Sequence, residues 1–333
     1  MRALVAGGAG FIGSHYVRSL LSGRYGPDAE VTVLDKLTYA GNPANLAAVA
    51  ADPRFRLVQG DITDTECLDR LLPGHDVVVN FAAETHVDRS IADAGSFVNS
   101  NVVGVHRLLE AVRKARIPTM IQISTDEVYG SIDAGSWTED DPVLPNSPYS
   151  ASKASGDLLC RAYHHTYGLD VRVTRCSNTY GPFQYPEKVI PLFVTRLLDG
   201  GRVPLYGDGG NMRDWLHVDD HCDGVQTVLE RGEPGEIYNI GGGTELSNRE
   251  LTTMVLAECA ADWSVVDRVT DRPGHDRRYS VDITKIKKLG YEPRTPLARG
   301  LADVVAWYRE NRAWWQPAVA EGTPTTGERI PAC

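Results

Sequence analysis

The 333-residue chain carries 34 basic and 44 acidic side chains, a formal charge of -10, with 42% hydrophobic and 23% charged residues. This length suits two lobes, and the composition is that of a soluble globular enzyme. The acidic balance excludes a general nucleic-acid or membrane-surface partner, although Arg and Lys gathered locally still suit an anionic substrate.

Six cysteines (67, 160, 176, 222, 259 and 333) are scattered without a CxxC pair. They read as reduced thiols, with no disulfide framework or zinc site. The apolar run from Ala3 to Ala6 is too short for a signal or membrane segment, so a cytoplasmic location is expected.

In chain order, strands are predicted at residues 3–6, 31–35, 55–59, 77–81, 120–124 and 171–175, with helices at 12–22, 101–115 and 152–167. This alternation predicts an α/β chain, a Rossmann-type doubly wound parallel sheet covered on both faces. After about Thr179 glycine and proline become denser, as in Gly207-Asp208-Gly209-Gly210 and Gly241-Gly242-Gly243. A first lobe over 1–178, a smaller α/β lobe over 179–315 and a mobile tail over 316–333 are expected, with parts of 219–240 returning to the first lobe.

Gly7, Gly10, Phe11, Ile12 and Gly13 lie in a G-x-x-G-x-x-G turn between the first strand and the first helix. Such glycines let the backbone approach a pyrophosphate, which sits on the helix N-terminus. Asp35 closes the second strand, where a carboxylate accepts from ribose hydroxyls and repels a 2′-phosphate. NAD is therefore favoured over NADP, with Lys36 beside the carboxylate arguing the other way. Asp61, followed by Ile62, reads equally as an adenine contact and as a turn or helix cap.

Tyr149 and Lys153 are four apart and share a face if helical. A free tyrosine has a pKa near ~10, too high for a base at neutral pH. A lysine cation at about 4 Å, with an effective dielectric near ~20, offers at most roughly 4 kcal/mol of help, or about 3 pKa units. Upstream, Ser124-Thr125-Asp126-Glu127 places two carboxylates after the fifth strand, at the sheet edge where such folds bind ligands. Capping of the next turn is the simpler structural reading of those acids.

The combination resembles the extended short-chain dehydrogenase/reductase superfamily. Ser124-Thr125-Asp126-Glu127-Val128-Tyr129-Gly130 is similar to the signature of nucleotide-sugar 4,6-dehydratases, the dTDP-glucose 4,6-dehydratases in particular. Further matching stretches begin at Asp35, Ala82, Ser147, Pro186, Arg213 and Asp271, and the likeness covers roughly residues 1–312. It implies a hydro-lyase that oxidises a sugar at C4, eliminates water across C5 and C6, and reduces C6 with recycled NAD.

In that scheme Tyr149 takes the C4 hydroxyl proton, Lys153 assists, and Thr125 bonds the C4 oxygen. Glu127 is the base at C5, and Asp126 the acid for the departing C6 hydroxyl, each worth on the order of 100- to 10,000-fold. The resemblance adds Leu37, Thr38, Ala82, Ala83, Glu84, Ser100 and Thr179 to the cofactor set. It assigns His86, Asn178, Lys188, Val189, Pro204, Tyr206, Arg213, Asn248, Arg272 and His275 to a nucleotide-diphosphate sugar, the cations serving the diphosphate. Thr179 and Ser100 depart from the family's usual Asn and Thr. A homodimer through a four-helix interface is also implied.

UDP-sugar 4-epimerases and UDP-glucuronate decarboxylases share the superfamily. An epimerase needs no elimination pair, and the decarboxylase pattern has Ser in place of Asp126. A non-catalytic NAD-sensing protein could dispense with Tyr149 and Lys153. His217 and His221, four apart, have metal-ligand spacing, but Asp219 or Asp220 as a helix N-cap is the simpler account, and no metal is expected.

Overall fold

The computed structural model describes residues 1–320. Its strands are β1 (Arg2–Ala6), β2 (Glu30–Asp35), β3 (Phe55–Gln59), β4 (Val77–Asn80), β5 (Thr119–Thr125), β6 (Val171–Cys176), β7 (Asn178–Tyr180), β8 (Val203–Tyr206), β9 (Met212–His217), β10 (Ile237–Ile240), β11 (Glu245–Ser247) and β12 (Val266–Val269). Its helices are α1 (Phe11–Leu21), α2 (Thr65–Leu71), α3 (Val87–Ala92), α4 (Ala94–Val98), α5 (Val105–Ala115), α6 (Pro148–Tyr167), α7 (Val189–Leu198), α8 (Val218–Arg231), α9 (Asn248–Glu258), α10 (Thr284–Lys287), α11 (Leu297–Glu310) and α12 (Arg312–Ala320).

Seven strands form one parallel sheet in the order β10-β6-β5-β4-β1-β2-β3. The alternation of side chains along β1 shows why helices cover both faces. Ala3 and Val5 enter a core with Tyr16 and Val17 of α1 and Val225 and Val228 of α8. Leu4 and Ala6 enter the opposite core with Leu68 of α2 and Leu108 and Val112 of α5. The strand order reverses between β1 and β4, which opens a crevice at their carboxyl ends. Sheets β11-β9-β7 and β12-β8 are separate. Beside them a third core gathers Phe193, Leu251, Val255, Leu301 and Trp315.

Local chemistry shifts several expected boundaries. The helix predicted at 152–167 starts at Pro148, because Ser147 and Ser150 form a capping box and proline suits the first helical position. Tyr149 therefore lies in the first turn of α6. The helix predicted at 101–115 begins as a π-helical turn over 99–104 and becomes α-helical at Val105. Within that turn Asn101 accepts from Glu84 N (3.0 Å) and donates to Glu84 O and Ser152 Oγ (2.9 Å each), pinning the β4 loop to α6. Residues 316–320, expected in the tail, are the end of α12, whose Trp315 is fully buried; the rest of that tail, 321–333, lies outside the described residues.

Leu4 is fully buried at the centre of the sheet. Leu4→Ala is expected to destabilise the chain by about 2–5 kcal/mol in urea unfolding, and a loss below ~1 kcal/mol would contradict this placement.

Candidate active site

The glycine turn works by close backbone approach. Gly7 has φ +73°, and a Cβ there would lie 2.4 Å from Ala82 N on the neighbouring β4 loop. A Cβ on Gly13 would stand 2.3 Å from Gly7 O. Gly10 caps α1 without a side chain, which leaves the first amides of the helix to an anion. Asp35 braces this cradle, its Oδ2 accepting from Ala9 N and its Oδ1 from Leu37 N, at 2.8 Å each.

One cleft crosses the crevice in two continuous stretches that share Gly7, Gly10, Ala40, Phe81 and Ala83. The outer stretch is lined by Asp35, Lys36, Thr38, Asp61, Ile62, Ala82, Glu84 and Ser100. Lys36 and Asp61 pair at 2.8 Å, and Asp61 also accepts from Thr63 N, so its turn-forming reading is realised. The inner stretch is lined by Phe11, Ile12, Gly13, Thr125, Asp126, Glu127, Tyr149, Lys153, Asn178, Thr179, Lys188 and Val189. Leu37 flanks the outer stretch in a left-handed conformation, φ 56°.

Thr125 caps the 3₁₀ turn Asp126–Tyr129, its Oγ1 accepting from Glu127 N at 3.2 Å and donating to Asp126 Oδ1 at 3.3 Å. The cap is thus the threonine, and the two acids stand in the first turn free for other work. Asp126 is 3% exposed, and its Oδ2 has no hydrogen-bond partner among the described residues. Burial first, then Glu127 and Asp214, holds its pKa well above the ordinary carboxylate range. Glu127 is also raised by burial, but Arg272, Lys188 and Arg213 pull against the rise. Two adjacent carboxyls thus sit in unlike fields, the pattern that separates an acid from a base.

Lys153 Nζ donates to the Ile123 carbonyl at 2.6 Å, and burial lowers its pKa. Burial, then Glu127 and Cys176, raises the Tyr149 phenol well above its ordinary value, with a Thr125 hydrogen bond opposing. The sequence argument that one lysine cation lowers this phenol is corrected here: desolvation outweighs it, and the ammonium is spent on a carbonyl.

His86, Pro204, Tyr206, Arg213, Asn248, Arg272 and His275 lie outside the lining of these two stretches. Several are bound into one set beyond Glu127. Asp88 joins Arg272 (3.1 Å) to the Tyr206 hydroxyl (3.5 Å), and the Tyr206 ring meets that of His275 edge-on at 6.1 Å. His275 bonds Asp271 Oδ1, and burial pushes its pKa down to about 4. Arg213 donates to Met212 O and Asp276 O and lies 4.3 Å from the centre of the Tyr279 ring. Asn248 heads α9 and donates its amide to Asn211 O, while Asn211 Nδ2 donates to the same Asp276 carbonyl. Pro204 lies buried on β8. His86 caps α3, its pKa lowered first by burial and then by Lys188, whose Nζ donates to Thr85 O at 2.7 Å.

Sequence reasoning missed a cluster across the cleft. The Arg89 guanidinium lies 3.8 Å from the Tyr39 ring centre and 3.2 Å from Glu187, and Tyr39 donates to the same carboxylate. These residues obey no spacing rule that joins them, and only the fold does. The N-cap assigned to Asp219 or Asp220 is corrected as well: His217 caps α8 by accepting from Asp219 N. Asp219 instead meets His15, and Asp220 accepts from Arg294 N and Thr295 N. His221 Nδ1 bonds Thr179 Oγ1 at 3.0 Å.

The raised pKa values have a stability consequence. The folded state binds the Asp126 proton more tightly than the unfolded chain, so its contribution is complete below the ordinary value near 3.8 and lost as pH rises through the raised one. Asp126→Asn removes that ionisation. Thermal melts should show the variant gaining on wild type as pH rises above the ordinary carboxylate value, and a gap that does not change with pH would refute the raised value.

The chain is similar to several known proteins. The GDP-mannose 4,6 dehydratase family model matches residues 4–304. A dTDP-glucose 4,6-dehydratase of Streptomyces griseus is 59% identical, over 96% of this chain and 98% of that protein. Its counterpart in Streptomyces niveus is 56% identical, over 98% and 99% of the two chains. The crystal structure of DesIV, a dTDP-glucose 4,6-dehydratase of Streptomyces venezuelae with NAD bound, superposes with a TM-score of 0.94 at 62% identity, over 96% of this chain and all of that one. The chain belongs to the GDP-mannose 4,6 dehydratase family, in the company of the dTDP-glucose 4,6-dehydratases.

Proposed function

We propose that this chain is a dTDP-glucose 4,6-dehydratase, an NAD-dependent hydro-lyase that yields dTDP-4-keto-6-deoxyglucose. The observation that carries the reading is the Asp126/Glu127 pair, Asp126 buried and Glu127 half-buried, in one cleft with Tyr149 and the glycine cradle. An epimerase has no use for two carboxyls held in unlike fields, and a non-catalytic NAD-sensing protein could dispense with Tyr149 and Lys153.

The residues fit NAD: the cradle admits no Cβ at Gly7 or Gly13, and Asp35, Asp61, Ile62 and Ala82–Glu84 line the adjoining stretch. When bound, NAD supplies the hydride acceptor for C4 and the hydride donor for C6. Tyr149 takes the C4 hydroxyl proton, with Thr125 holding that oxygen. The resulting ketone acidifies the C5 hydrogen, which Glu127 removes. Asp126, whose pKa burial raises, gives its proton to the departing C6 hydroxyl, and a proton returns to C5 from Glu127 as C6 is reduced. Lys188, Arg213 and Arg272 meet the diphosphate, and the same three cations keep Glu127 the more easily ionised of the two acids.

The remaining parts of the reading follow from the same residues. Residues 1–178 with parts of 219–240 serve as the cofactor lobe, and 179–315 as the sugar lobe. Among the described residues no helix is long and apolar enough to cross a membrane, in keeping with a cytoplasmic enzyme. Val98, Val103, Leu158 and Tyr167 are exposed on and around α5 and α6, which favours a homodimer through these helices. Leu158→Arg is expected to halve the particle mass in sedimentation, and an unchanged mass would exclude this face.

The decisive experiment supplies dTDP-glucose deuterated at C4. Label at C6 of a 4-keto-6-deoxy product supports the reading, whereas a C4 epimer or no product with any nucleotide sugar sinks it. Glu127→Gln should lower turnover by roughly 100- to 10,000-fold and abolish solvent-deuterium uptake at C5. Undiminished uptake would remove Glu127 from the role of base.

A further inference from the structure

A hydrogen-bonded path joins the glycine cradle to the last described helix, and no step above uses it. Ala9 stands inside the cradle, between Gly8 and Gly10. Its amide is fixed by Asp35 Oδ2 at 2.8 Å, and its carbonyl accepts from Asn42 N at 3.0 Å and from Asn45 Nδ2 at 2.9 Å. Asn45 lies in the 3₁₀ helix Pro43–Val49 and is 2% exposed. Its other amide atom, Oδ1, accepts from Trp314 Nε1 of α12 at 2.8 Å. Ala9 and Trp314, at opposite ends of the chain, are thus bridged by one side chain.

That side chain fits one way round. A carbonyl only accepts and an indole N–H only donates, so Nδ2 must face Ala9 and Oδ1 must face Trp314. An apolar residue would fill the same space without fixing either neighbour, and a buried amide is costly unless both of its ends are met. The surroundings hold the bridge in place. Arg18 of α1 donates to Asn45 O at 2.5 Å, and its guanidinium lies 4.4 Å from the Phe183 ring centre. The Phe183 ring meets Trp307 of α11 at 4.5 Å and Trp314 at 5.7 Å. Phe183 itself has φ 66°, a conformation that a bulky residue keeps only where its neighbours enforce it. Neither Asn45 nor Trp314 lines the cleft.

We propose that Trp314 is a positioning residue for the cofactor: through Asn45 it fixes the Ala9 carbonyl, and with it the turn that receives the pyrophosphate. The inference rests on the reading of that turn as the NAD cradle. The C-terminal helix thereby acts on the cofactor without touching it. With the bridge cut, the turn gains freedom that NAD must remove on binding, so affinity falls while the chemistry of the bound complex stays as it is.

The test is calorimetric titration of the full-length protein, freed of cofactor, with NAD, alongside kcat at saturating NAD and thermal melts. Trp314→Phe keeps an aromatic ring and removes the N–H. Its NAD dissociation constant should rise about 3- to 10-fold, the loss falling on affinity rather than on kcat. Asn45→Asp keeps the acceptor for Trp314 but sets a carboxylate oxygen against the Ala9 carbonyl, so NAD should weaken further, by roughly 10- to 100-fold. Trp307→Phe thins the same aromatic cluster and leaves the bridge intact. It should lower the melting temperature with NAD affinity as in wild type. Wild-type affinity in folded Trp314→Phe would overturn the proposal, and so would an equal loss in Trp307→Phe, which would assign the effect to packing. If Trp314→Phe does not fold, Asn45→Asp decides by the same measure. Failure of both to fold would assign the bridge to the core and overturn the proposal too. If wild type itself binds no NAD, the cradle reading falls, a result distinct from binding that the variants leave unmoved.

Discussion

The cost of taking a carboxylate out of water is the constraint on which the active site depends. β5 ends inside the protein, and its last residue, Thr125, turns the chain into a 3₁₀ turn that carries Asp126 inward with one oxygen unpartnered among the described residues. In solvent the two acids would be alike. Here Asp126 faces Glu127 and Asp214, while Glu127 faces Arg272, Lys188 and Arg213. One desolvated step of backbone thereby places two neighbouring carboxyls in unlike fields.

The rest of the architecture delivers groups to that point. The sheet reverses its order between β1 and β4, and the glycine turn approaches the β4 loop so closely that Gly7 admits no side chain. Asp35 and Asn101 tie the loops of this crevice to the turn and to α6. α6 then presents Tyr149 and Lys153 along one face. Three cations come from segments after β6: Lys188 just before α7, Arg213 on β9 and Arg272 after β12. The Arg89–Tyr39–Glu187 cluster joins those later segments to the cofactor loops.

Much of this was legible in the chain because it rests on local rules. Strand and helix alternation marked the first six strands of the sheet to within a few residues, and the glycine spacing marked the cradle. The four-residue interval made Tyr149 and Lys153 neighbours. Boundaries slipped where a side chain competes with the backbone: the capping box at Ser147 lengthened α6, and Asn101 sits in a π-helical turn. The N-cap of α8 was misread because a histidine ring nitrogen accepts the amide that an aspartate usually takes. Glu187, Asp214 and Asp276 were assigned no role, since nothing in their spacing tells which carboxylates become buried.

By itself, the sequence determined the α/β class, the dinucleotide turn and the Tyr149/Lys153 and Asp126/Glu127 pairs, because periodicity and short motifs encode interactions between near neighbours. Only the tertiary structure decided how those residues are charged. Whether Asp126 keeps its proton, whether Lys153 bonds a carbonyl, and which cations face Glu127 depend on burial and on groups scores of residues away. Coulombic and desolvation energies follow distance in space, and that distance exists only once the chain has folded.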